Sequence, residues 1–141
     1  SSAKDLKLEQ QAAARQLQVL SDLAVLVKDI ERSEKTILAL REELAAVNSR
    51  YQGPRTTRDD IAYLSALLDC AKKKLAWEKQ IGSLQKRTPD ILRRMSDLLH
   101  DPKAPPTEEM RQRMLAGLQA VQAAMERLQG VKWEEGGAPR N

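Results

Sequence analysis

No glycine or proline falls between Ser1 and Gln52. A stretch of that length without a breaker, dominated by Leu, Ala, Gln, Glu, Lys and Arg, is most economically one long helix. Its apolar residues support this. Leu23, Val27 and Ile30, then Ile37, Leu40, Leu44, Val47 and Tyr51, step by three and four, the spacing of one helical face. The first set extends back with some drift through Leu20, Leu17 and Ala13, and only Leu6 and Leu8 offer apolar contacts before that. The two sets read as different heptad registers. The expected change falls across Glu31-Arg32-Ser33-Glu34-Lys35, where either the winding or the packing partner would alter.

Gln52-Gly53-Pro54 stops this helix: Gly53 suits the left-handed position after a helix end, and Pro54 cannot continue it. Thr57 and Asp60 read as a capping pair opening a second helix. Its expected inward face is Ile61, Leu64, Leu68, Ala71 and Leu75, shifting afterwards to Trp77, Ile81 and Leu84. Thr88-Pro89-Asp90 fits either a fresh N-cap or a kink within one helix. The period resumes at Ile91, Leu92, Met95, Leu98 and Leu99 and ends at His100-Asp101-Pro102. A stiff linker, 101–106, leads to a cap at Thr107 and a last helix with the face Met110, Met114, Leu118, Val121, Met125 and Leu128, closed by Gly130. The expected organisation is one helical domain over 1–130, with helices at about 5–51, 58–87, 89–100 and 107–129. Residues 131–141 read as a flexible tail, with Trp133 either folding back or meeting another molecule.

The expected fold is therefore all-α. The first helix and the 58–100 segment are of similar length, roughly 65 Å at 1.5 Å per residue, and a short loop makes them an antiparallel, coiled-coil-like hairpin. The third helix, about half that length, thickens the open end into a three-helix bundle formed by 8–30, 78–100 and 107–129. The 31–77 half is left as a bare hairpin, with Trp77 expected at the junction. This layout resembles spectrin-like and other three-helix adaptor bundles, a likeness of fold, which does not fix function.

The chemistry-bearing residues are sparse. Cys70 and His100 are the single cysteine and the single histidine, and no Gly-rich phosphate loop or metal-spaced motif appears. His100 reads as a helix C-terminal cation, Cys70 as a small seam residue, and the Glu42-Glu43, Asp59-Asp60 and Glu108-Glu109 pairs as solvated or capping groups. Only 3% of the chain is aromatic, which suits narrow helix seams better than a thick enzyme core. No catalytic residue, cofactor or metal is expected.

Two surfaces are candidates for partners. In the 31–77 half, the adjacent apolar residues Ile37-Leu38, Tyr63-Leu64 and Leu67-Leu68 give more apolar face than one two-helix seam covers. They fit a helical protein partner or a homodimer. Around the hairpin tip and one flank, Arg50, Arg55, Arg58, Lys72, Lys73, Lys74 and Lys79 form a basic patch. Its simplest reading is a solvated face; its functional reading is a surface for acidic protein, such as the tails on a cytoskeletal microtubule. No aromatic interleaves the lysines, which argues against nucleic acid, and no apolar run spans a bilayer. The expectation is a non-enzymatic interaction or scaffold module of a larger protein. The lone cysteine fits a cytoplasmic or nuclear setting. Ser1-Ser2 in place of an initiating Met reads as a piece of a longer chain, with any targeting signal lying outside it.

Overall fold

The computed structural model describes residues 2–131. Over these, the chain forms three helices, α1 (Ala3–Arg50), α2 (Thr57–Leu99) and α3 (Glu108–Gln129), and no strand. The packing is that of a three-helix bundle: α1 and α2 pack extensively, and α3 lies more against α1 than α2.

The helix ends follow local chemistry. Ser2 and Asp5 cap α1 reciprocally: the Asp5 amide donates to Ser2 Oγ (3.2 Å) and the Ser2 amide to Asp5 Oδ2 (3.3 Å). Gly53 ends the α1 side of the turn with φ +84°, the left-handed conformation its lack of a Cβ permits. The cap of α2 sits one residue earlier than the sequence suggests. The Asp59 amide donates to Thr56 Oγ1 (3.1 Å) and the Thr56 amide to Asp59 Oδ2 (3.2 Å). Thr56 wins over Thr57 because the acid three residues after it can reach back, and Asp60 is engaged instead by Arg55 at 3.0 Å. Thr107 caps α3 as expected, accepting from the Met110 amide at 3.1 Å.

Pro89 lies inside α2 without ending it, so the expected pieces 58–87 and 89–100 are one helix. The ring removes the N–H that would reach the Gln85 carbonyl. Thr88 Oγ1 turns back to the Leu84 carbonyl (2.7 Å) instead of serving as an N-cap. What carries the helix across is the burial of Leu84, Ile91, Met95 and Leu98 on one face spanning the proline.

That face belongs to a wider pattern. The inward residues of α1 are Ala12, Gln16, Val19, Leu23, Leu26, Ile30, Ser33, Ile37, Leu40, Leu44 and Val47, an unbroken alternation of four and three. The expected register change at 31–35 does not occur. Ser33 holds a heptad core position and is buried, but its polarity interrupts the apolar spelling; Leu26, not Val27, is the buried member of its turn. In α3 the same spacing runs Met110, Met114, Gly117, Val121, Ala124 and Leu128, with Leu118 and Met125 at its margin. Gly117 is small for a reason: a Cβ there would lie 2.9 Å from Leu23 Cδ1.

By contacts the chain divides into two compact units, Ser1–Ile30 with Ser83–Met125, and Glu31–Gly82 with Glu126–Asn141. The first has a core drawn from all three helices: Val19, Leu23, Leu26 and Ile30 from α1, Leu84, Ile91, Met95 and Leu98 from α2, and Met114, Val121 and Ala124 from α3. Arg94 bridges to Asp22 (2.8 Å) and Arg87 to Asp29 (2.7 Å) at its margin. The second unit is essentially an α1–α2 hairpin. Its core is Ile37, Leu40, Leu44 and Cys70, with Leu67, Trp77 and Val131 packed against it. Val131 is thus part of the packing rather than the start of a loose tail. Residues 132–141, Trp133 among them, lie outside the described residues.

Candidate docking surface

In the second unit α2 has two apolar faces, and it buries the less obvious one. The inward positions are Tyr63, Leu67, Cys70, Lys74, Trp77 and Ile81, again spaced four and three and in phase with Leu84, Ile91, Met95 and Leu98. The expected seam points outward. Ile61 is 65% exposed, Leu64 64%, Leu68 55% and Leu75 56%, and Ala71 between them is also exposed. The reason is rigidity. A helix presents one heptad face to a partner, and Leu84 to Leu98 fix that face. Counting back by sevens from Leu84 lands on Trp77, Cys70 and Tyr63, and never on Leu75 or Leu68.

The buried face is held by polar tips on apolar bodies. Trp77 Nε1 donates to the Ser33 carbonyl (2.9 Å), so the small Ser33 and the large Trp77 fill one position together. Tyr63 Oη donates to Asn48 Oδ1 (2.7 Å), its ring meets Tyr51 at 5.4 Å between centroids, and Arg55 lies 4.7 Å over its face. Burial pushes the Cys70 thiol up, with Glu43 adding to it, so it stays protonated as a packing group.

The six expected apolar contact residues therefore separate. Ile37 is a core residue, 1% exposed, and Leu67 packs on the same core; neither is free for a partner. Tyr63 is half-buried in the hairpin. Leu64 and Leu68 are on the open face of α2, and Leu38 is exposed on α1. Ile61 and Leu75, assigned to the seam on sequence, complete the open stripe. Over Ile61 to Leu75 it is about 21 Å long at 1.5 Å per residue.

Two ion pairs locate this stripe within its unit. Lys73 Nζ meets Glu43 at 2.7 Å and closes one side of the hairpin seam. Arg127, in the last turn of α3, meets Glu34 at 3.9 Å. At about 100° per residue, Glu34 and Glu43 lie on opposite flanks of the inward face of α1, and Lys73 and the stripe on opposite flanks of that of α2. The stripe thus lies on the Glu34 side, the side to which the end of α3 packs. Beyond Glu34, α1 runs on to Arg50, about 24 Å of helix. Along that length the groove beside the stripe carries no third helix among the described residues.

The basic patch also separates. Arg55 bonds to the Tyr51 carbonyl (3.2 Å) and Asp60, Lys73 to Glu43, and Lys74 to Glu78 (3.7 Å). Arg50, Arg58, Lys72 and Lys79 are exposed and make no ion pair among the described residues. On the Glu34 face of α1, seven residues on, Arg41 Nε is buried without a hydrogen-bond partner among the described residues.

Elsewhere, two groups of polar side chains are engaged structurally. His100 Nδ1 lies 2.8 Å from the Ser96 carbonyl at the end of α2. A cleft of about 220 Å³ in the first unit is lined by Asp22, Arg87, Asp90 and Arg94, whose charges pair with one another or with Asp29. Among the described residues no helix is long and apolar enough to cross a membrane. No protein-family model, curated protein or solved structure matches the chain, so the likeness to three-helix adaptor bundles rests on layout alone.

Proposed function

We propose that the chain is a non-enzymatic protein–protein interaction module of a larger scaffold, and that it works by docking a partner helix along α2 in its second unit. The observation that carries this reading is the exposed stripe Ile61, Leu64, Leu68 and Leu75. Four large aliphatic side chains at heptad spacing on one helix face are a seam in search of a second helix; scattered singly they would need no explanation. The first unit offers no such stripe on α2, because the corresponding length of that helix buries its apolar residues.

A second reading, binding to an acidic surface such as a cytoskeletal filament through the hairpin tip, draws support from Arg50, Arg58, Lys72 and Lys79, which make no ion pair among the described residues. It is weakened by Arg55, Lys73 and Lys74 already having acidic partners within the chain. A photo-crosslinker separates the two. Placed at Leu68 it captures the partner, whereas placed at Gln119, exposed on α3, it does not. A partner captured as well from Gln119, or retained undiminished by a Leu64→Ser/Leu68→Ser variant, would remove the stripe from the function.

A further inference from the structure

The charges around the stripe say what kind of helix fits it. In the heptad defined by Ile61, Leu64, Leu68, Ala71 and Leu75, one edge carries Arg58, Ser65, Lys72 and Lys79 at sevenfold spacing. The other edge is Asp60, Leu67 and Lys74, and across the groove α1 contributes Arg41. The acids nearby are committed: Asp60 to Arg55, Glu78 to Lys74 and Glu34 to Arg127. On the Arg58–Lys79 edge every charge is positive and none has an ion pair among the described residues, while the acids Asp69 and Glu31 lie further from the stripe axis; Arg41, seven residues on from Glu34, has a buried Nε with no hydrogen-bond partner among the described residues.

This pattern works against a second copy of the chain. Pairing stripe to stripe in parallel sets Lys74 against Lys79, and in antiparallel fashion sets the edge with Arg58, Lys72 and Lys79 against itself. Like charges at these positions are destabilising. It favours a helix whose flanks are acidic. The end of α3 also points to a helix as the occupant: its last turn already lies on the Glu34 side, held by Arg127, and the groove runs on beyond it for about the length of the stripe.

We infer that the groove along Ile61–Leu75 takes an acidic amphipathic helix from another protein, its apolar face on the stripe and its flanking carboxylates against Arg58, Lys72, Lys79 and Arg41. This rests on reading the stripe as a docking surface, and the test distinguishes the two. Two fluorescent three-heptad peptides, each with Leu at the a and d positions, carry Glu or Lys at e and g and are titrated onto the full chain below their own self-association. The Glu peptide is expected to bind at least about tenfold more tightly at low salt, with the gap closing as salt rises. Leu64→Ser/Leu68→Ser abolishes its binding, and Lys72→Glu/Lys79→Glu reverses the preference.

Equal binding of both peptides, lost in Leu64→Ser/Leu68→Ser, would overturn the acidic partner while leaving the docking surface in place. If neither binds, sedimentation of the same sample decides. A dimer dissolved by Leu64→Ser/Leu68→Ser puts a second copy on the stripe. A monomer that gains peptide binding when 132–141 are removed puts the chain's own Trp133-Glu134-Glu135 segment there. Either result overturns the inference. Absence of all these effects overturns the docking surface as well.

Discussion

Replacing Pro89 with Ala should stabilise the protein, and the amount can be worked from its surroundings. Pro89 lies inside α2 ten residues before its end and is exposed, so its ring contributes no core packing. Alanine restores the N–H that reaches the Gln85 carbonyl and removes the clash of the ring with that carbonyl. In a helix interior the difference between Pro and Ala is about 3 kcal/mol. The surrounding seam (Leu84, Ile91 and Met95) has already formed around the proline, so a gain of about 2 kcal/mol is the reasonable expectation, equivalent to a rise in Tm of roughly 6–10 °C for a chain of this size. Urea and thermal unfolding followed by far-UV circular dichroism measure it. Should Pro89→Ala lower the midpoint instead, the proline would be shaping the helix to fit its neighbours. The account of α2 as a regular heptad helix that merely tolerates Pro89 would then be wrong.

Three further outcomes follow from specific contacts. Gly117→Val should cost about 2 kcal/mol or more in urea unfolding, since its Cβ meets Leu23 Cδ1 at 2.9 Å within a closed core. Ser33→Leu should also destabilise, by about 1–3 kcal/mol, although it completes the apolar heptad of α1, because Trp77 already uses that space and bonds to the Ser33 carbonyl. For Asp22, burial pushes the carboxyl up, but hydrogen bonds from Arg94 and Gln18 outweigh it and hold it below its ordinary 3.8. A folded-state value below the unfolded one contributes stability above the unfolded value, and that stability is lost as pH falls through the folded one. Asp22→Asn should therefore be less stable than the parent at neutral pH, and the difference should shrink as pH falls below 3.8, as read by urea midpoints across that range.

The sequence made the helices and their ends largely readable, because Gly53-Pro54, Thr107 and the long breaker-free stretch act locally. It misled about faces, for two reasons. Ser33 is a polar residue at a core position, and its burial depends on a tryptophan 44 residues away. In α2 the face most apolar by composition is not the face selected, since Leu84 to Leu98 fix the phase of the helix through Trp77, Cys70 and Tyr63. The neglected clue was arithmetic: a single sevenfold count links Leu98, Ile91, Leu84, Trp77, Cys70 and Tyr63, whereas the Leu64–Leu68–Leu75 series cannot join it. Adjacent apolar pairs did mark a stretch in which large aliphatic side chains stay exposed. Which member of each pair faces out could be settled only by packing.

The most direct test of the central claim compares two pairs of substitutions in unfolding experiments. Leu64→Ser/Leu68→Ser alters the open stripe, and Leu40→Ala/Leu44→Ala alters the buried seam opposite Cys70. The stripe variant should unfold within about 0.5 kcal/mol of the parent. The seam variant should lose about 2–5 kcal/mol per residue. A stripe variant destabilised as severely as the seam variant would mean that Leu64 and Leu68 are core residues, and the docking surface would not exist.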